Sequence, residues 1–80
     1  MATETLALVA RIWRDVLAVE TIEPTDDFFA LGGHSLLGSQ VLARIDKETG
    51  ARLPLRLFAE CPTLDSFAHA VDAEVRATRR

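Results

Sequence analysis

The chain has 80 residues, 49% of them hydrophobic and 26% charged, which specifies one small folded domain and leaves no volume for a deep catalytic cavity beside a cofactor fold. A net charge of −3 argues against a nucleic-acid binder, and no apolar run approaches the roughly 18 residues of a membrane span. The single cysteine, Cys61, excludes an internal disulfide and a cysteine-based zinc cluster. Met1 to Leu8 carries Glu4 and no basic residue, unlike a signal peptide, so a soluble, cytoplasmic and monomeric domain without membrane contact is expected.

A first helix is expected from about Glu4 to Leu17, where Leu6, Val9, Ala10, Trp13, Val16 and Leu17 recur at helical spacing. Thr3 is suited to cap it and Glu4 to its first turn; Val19, Thr21, Ile22 and then Pro24 end it. The connection from Ala18 to His34 is long, and loops of that length without structure of their own are uncommon and often functional. A second helix starts at or beside Ser35 and runs to about Thr49, with Gly50 as its terminating residue and Leu37, Val41, Leu42 and Ile45 as its core stripe. Arg52 to Leu57 alternates, with Leu53, Leu55 and Leu57 on one side and Pro54 interrupting; it reads as extended chain or one short helical turn leading into Phe58-Ala59-Glu60. After Pro62, Thr63 caps a last helix that carries Leu64, Phe67, Ala68, Val71 and Val75 inward. Trp13, Phe58 and Phe67 fall at core spacing, Phe28 and Phe29 tack the loop onto the bundle, and Cys61 reads as a small packed hydrophobe. Arg76, Arg79 and Arg80 read as a frayed, solvated end or the beginning of a linker. Residues 1–80 therefore form a single all-α domain: three longer helices, a short extra turn and one long loop.

The segment from Asp26 to Leu36 stands out. Two Phe, Leu31 and the pair Gly32-Gly33 lead to a serine at a helix start, where free N–H groups and the helix dipole favour negative charge. Ser35 read alone is an N-cap. The neighbours point instead to a serine held in fixed placement for close approach by another molecule. A hydrolase nucleophile elbow fails here, because Leu37 stands where the second glycine of G-x-S-x-G belongs, no strand precedes it, and His34 is adjacent to Ser35 in sequence. His34 and His69 without further ligands leave metal binding without a basis. Charge is also uneven: Asp15, Glu20, Glu23, Asp26 and Asp27 fall in a stretch to Ala43 without Lys or Arg, giving −5 there and +2 in the remainder. That stretch is either a solvated acidic face or one that meets a basic partner.

Asp27-Phe28-Phe29-Ala30-Leu31-Gly32-Gly33-His34-Ser35-Leu36-Leu37 closely resembles the attachment motif of the peptidyl carrier proteins of nonribosomal peptide synthetases, members of the acyl carrier protein-like superfamily. Ile12 to Leu17, Arg44-Ile45, Leu53-Pro54-Leu55 and Phe58 to Leu64 are similar to further parts of that family, so the resemblance covers nearly the whole chain. It implies a four-helix bundle of the acyl carrier type with a short third helix. It also implies 4′-phosphopantetheine, taken from coenzyme A, covalently on Ser35, with Gly32, Gly33 and His34 as the flanking motif. The chain would then be a non-catalytic carrier of aminoacyl or peptidyl thioesters, and the substrate of a phosphopantetheinyl transferase. Its further partners would be an adenylation domain and a condensation or thioesterase domain, the latter because His34 stands where carriers serving epimerases tend to have Asp. Fatty-acid carriers usually show Asp-Ser-Leu at this place; an acyl carrier of a polyketide or hybrid pathway is the alternative.

Helix phase singles out one more surface. Leu36 lies about 100° around the axis from Leu37, away from the core stripe, and shares its side with Ser39 and Ala43. A leucine beside the attachment serine among small uncharged residues suits brief docking to enzymes, with Leu36 as the anchor and Ala43 kept small.

Overall fold

The computed structural model describes residues 3–78. Among them run four helices: α1 (Thr3–Leu17), α2 (Ser35–Thr49), α3 (Leu57–Glu60) and α4 (Leu64–Thr78). Met1, Arg79 and Arg80 lie outside the described residues. The four-helix arrangement with a short third helix is the expected one.

α1 packs against both α2 and α4. A helix flanked on two sides buries more than one narrow stripe, so Ile12 joins Val9, Ala10 and Trp13 in the core, while Leu6, Val16 and Leu17 are only partly buried. Thr3 already belongs to the helix rather than standing before it. The stop also differs from expectation. Ala18 adopts a left-handed φ of 57°, and the Val19 N–H donates to the Arg14 carbonyl at 3.1 Å. That bond closes the helix end in the manner usually given to glycine. The other end of the long loop is tied to α4. The Pro24 and Asp26 carbonyls accept from the Asp65 and Leu64 N–H groups at 2.9 and 3.0 Å, so the loop satisfies donors that the first turn of α4 leaves free. Phe28 N–H returns to the Pro62 carbonyl at 2.8 Å.

Thr63 caps α4 as expected, accepting the Ser66 N–H at 3.2 Å. Leu64, Phe67, Ala68, Val71 and Val75 are all buried. Asp72 is buried among them, which periodicity did not disclose; it accepts Thr5 Oγ1 at 2.7 Å from α1 and the Arg76 guanidinium at 2.6 Å. Arg76 is thus held by Asp72 rather than merely solvated. Gly50 terminates α2 at φ 79°, its N–H on the Asp46 carbonyl at 2.7 Å.

The alternation from Arg52 to Leu57 does not put three leucines on one side. Leu57 N–H bonds the Pro54 carbonyl at 3.0 Å, winding the chain into a turn, so Leu57 is buried and Leu55 is 41% exposed. The centre of the core is aromatic. Trp13 meets Phe28 edge-on at 5.0 Å and Phe67 at 5.5 Å, and Phe58 stacks on Phe67 at 4.4 Å. Cys61 is partly buried against this core.

Candidate functional site

The end of the loop is wound before α2 begins. Asp27 accepts the Phe29 and Ala30 N–H groups on one side-chain oxygen at 2.8 and 3.1 Å, and its carbonyl accepts Leu31 N–H at 3.0 Å. Gly32 then takes φ +98°, a conformation that glycine adopts without penalty. Gly33 follows with its N–H on the Phe28 carbonyl at 2.9 Å. A Cβ at Gly33 would overlap the Phe28 ring and carbonyl oxygen, whereas one at Gly32 would meet open space. Gly32 thus faces open space, whereas Gly33 is demanded by the packing of Phe28 beneath it.

Phe28 is fully buried, its ring 4.3 Å from that of Phe58. Phe29 does not share this role. It is 48% exposed and lies edge-on to Phe28 at 5.8 Å, so one phenylalanine fastens the loop and the other stays outside.

His34 occupies the N-cap position in extended conformation, without a side-chain capping bond, and its carbonyl accepts the Gly38 N–H at 2.8 Å. Ser35 is therefore the first helical residue and not the cap. Its hydroxyl is committed to no hydrogen bond among the described residues, and the residue is exposed. Gly32, Gly33, His34 and Ser35 thus form one contiguous presentation of a free hydroxyl at the start of a 15-residue helix. No charged side chain occurs from Phe28 to Ala43, so the positive end of the helix dipole is locally unopposed. An anion formed on the serine oxygen would sit at a helix N-terminus, where it is stabilised.

Around the axis of α2, Leu36 is 64% exposed, and Ser39 and Ala43 are exposed with it. Val41 and Ile45 are buried, while Leu37 and Leu42 are only partly so. The buried position between them is Gly38, where an added Cβ would come within 3.1 Å of both Leu55 and Phe58. Gly38 has no side chain to count in an apolar stripe, so helical periodicity does not mark it. His69 is exposed on α4, and no group of three or more His, Cys, Asp or Glu able to hold a metal occurs among the described residues. No helix of the described residues is long and apolar enough to cross a membrane.

The family model described as the phosphopantetheine attachment site matches residues 7–71. Tyrocidine synthase 2 of Brevibacillus parabrevis is 43% identical over 70 residues, 88% of this chain and 2% of that synthase. The chain thus spans about one fiftieth of the length of that relative. Among solved structures, the complex of the phosphopantetheine transferase Sfp with coenzyme A and a peptidyl carrier protein matches with TM-score 0.84 and 33% identity, over 91% of this chain and 95% of that one. An active-site mutant of a peptidyl carrier protein matches with TM-score 0.85 and 32% identity, over 94% of this chain and 83% of that one.

Proposed function

The chain belongs to the phosphopantetheine attachment family, and from that premise we propose that Ser35 is the residue that receives 4′-phosphopantetheine and that residues 1–80 are one carrier domain of nonribosomal peptide biosynthesis. The observation that carries this reading is the uncommitted, exposed hydroxyl of Ser35 at the first position of α2. The Ser35 oxygen attacks the phosphorus of coenzyme A that bears pantetheine; the pyrophosphate P–O bond breaks, 3′,5′-ADP leaves, and the serine proton passes to a base on the transferase. From the first position of α2, Ser35 would hold the phosphodiester's negative charge beside the helix's N-terminal N–H groups. When attached, the arm supplies a terminal thiol that holds an aminoacyl or peptidyl group as a thioester.

The chain itself does no catalysis in this reading. Ser35 has no hydrogen bond to a base, His34 turns to the N-cap position and His69 is on α4. Recognition falls to the face of α2 that carries Leu36, Ser39 and Ala43, with Leu36 as the anchor that a transferase, an adenylation domain and a condensation or thioesterase domain would each cover. Such a face buries one apolar side chain per encounter and releases it readily. The condensation or thioesterase assignment rests on His34 before the serine; an epimerisation domain directly downstream in the parent gene would contradict it.

Intact mass after incubation with coenzyme A and a permissive transferase tests the site. The mass is expected to rise by one phosphopantetheinyl unit, and Ser35→Ala is expected to abolish the gain with helicity unchanged. Modification of the Ala variant, at Ser39 or Ser66 for example, overturns the assignment.

A further inference from the structure

A cavity of about 250 Å³ opens beside Ser35, between the end of the long loop and α3. Phe28, Phe29, Leu55, Phe58 and Ala59 give it apolar walls, and Ser35, His34 and Arg56 complete the lining. Pockets that engulf a whole small molecule run to roughly 300–1,000 Å³. This one is smaller, so it takes a short apolar segment and not an entire arm with its cargo. Ser35 is itself part of the wall. The segment that meets the cavity first is therefore the one next to the phosphate: the pantoyl unit, with two methyl groups on a quaternary carbon.

We propose that this cavity is a berth for the pantoyl methyls and that Arg56 pairs with the phosphodiester on Ser35, an inference that rests on Ser35 being the attachment residue. Among the described residues lining the cavity, Arg56 alone is permanently charged. Its present partner is Glu60 at 3.5 Å, in a pair whose side chains are 73% and 58% exposed. Exposed pairs of this kind contribute little, so the guanidinium is free to turn toward a stronger anion. Its planar fork matches two phosphate oxygens, which a lysine would not. The thiol end of the arm stays in solvent, so the berth does not depend on cargo. It holds the arm's root against the domain and shortens the arc that the thiol sweeps.

The test is NMR of the modified protein, its arm labelled with ¹³C in the pantoyl methyls by transfer from labelled coenzyme A. Aromatic walls predict that the methyl resonances move upfield of their positions in free coenzyme A, with nuclear Overhauser contacts to Phe29 and Phe58. The same shifts are expected whether the thiol is free or aminoacylated. Phe29→Ala is expected to reduce the methyl shift, and Arg56→Gln to move the ³¹P resonance toward that of an exposed phosphodiester. Arg52→Gln, whose side chain is 89% exposed and paired with Asp46, leaves both signals unchanged. Phe29 and Arg56 are exposed, so both variants fold, which circular dichroism verifies. Methyls at their free positions in a fully modified protein overturn the berth alone. Absence of any mass gain overturns the reading of Ser35 first.

Discussion

Gly33→Ala bears directly on how the serine is held. The new Cβ would overlap the Phe28 ring and stand 2.6 Å from the Phe28 carbonyl oxygen. Neither group yields readily. The carbonyl accepts the Gly33 N–H at 2.9 Å, the Phe28 N–H is fixed to Pro62 at 2.8 Å, and the ring lies between Trp13 and Phe58. Overpacking costs about 1–3 kcal/mol. Losing the short turn bond adds roughly 1 kcal/mol, and displacing the ring from its aromatic neighbours adds about 0.5–1.5 kcal/mol per pair. Some of these costs are alternatives, so the expected loss is roughly 2–5 kcal/mol, against a total of about 4–12 kcal/mol for a domain of this length. At about 4–8 °C per kcal/mol, Tm falls by at least about 8 °C. Thermal and urea unfolding, followed by circular dichroism and by the fluorescence of Trp13, measure it. A loss below about 0.5 kcal/mol would refute the idea that Phe28 locks the segment, because ordinary surface substitutions fall within that range.

The remaining expectations use the same unfolding assays. Gly38→Ala squeezes Leu55 and Phe58 at 3.1 Å but gains helix propensity of about 1 kcal/mol, so its net change stays within roughly 1 kcal/mol of zero. Leu36→Ala changes stability by less than about 0.5 kcal/mol while slowing transfer of the arm, whereas Leu37→Ala, half-buried, costs about 1–2 kcal/mol, below the range of fully buried leucines. The reverse ranking would mean that the helix phase is wrong. Ala18→Gly raises stability by about 1 kcal/mol, because φ 57° strains alanine and suits glycine; a loss on this substitution would contradict the left-handed helix end.

Helix bounds were legible where local chemistry sets them. Thr63 and Gly50 end or begin helices through their own atoms, so the sequence alone located them. What it could not show depends on tertiary partners. Phe28 and Phe29 are the same residue type in adjacent places, and which ring enters the core is decided by Trp13 and Phe58. Ile12 is buried because α1 has neighbours on two sides, a fact of topology and not of periodicity. Asp72 is inward because Thr5, 67 positions earlier, supplies a donor. At the site, Ser35 and its flanking motif could be read directly, while its freedom from capping duty could not. That freedom follows from the extended backbone of His34, which no residue type dictates. The cavity wall formed by Leu55 and Arg56 was likewise hidden, since the leucine alternation left extended chain and a short helical turn both open, and only the turn that the Leu57 N–H closes on Pro54 brings these two residues to the cavity.

The ties between the loop and α4 have a consequence for exchange with solvent hydrogen. The amides of Leu64 and Asp65 are held by carbonyls of the loop, and the amide of Phe28 by the residue just before the α4 cap. These donors and acceptors lie 34 to 41 positions apart in the chain, so none can open singly without loosening the others. The stretch that presents Ser35 and the N-terminal turn of α4 therefore belong to one cooperative unit, in which protection is gained or lost as a block. An enzyme that grips the loop acts on a segment tied to the first turn of the last helix, and a lesion at the start of α4 reaches the serine without touching it.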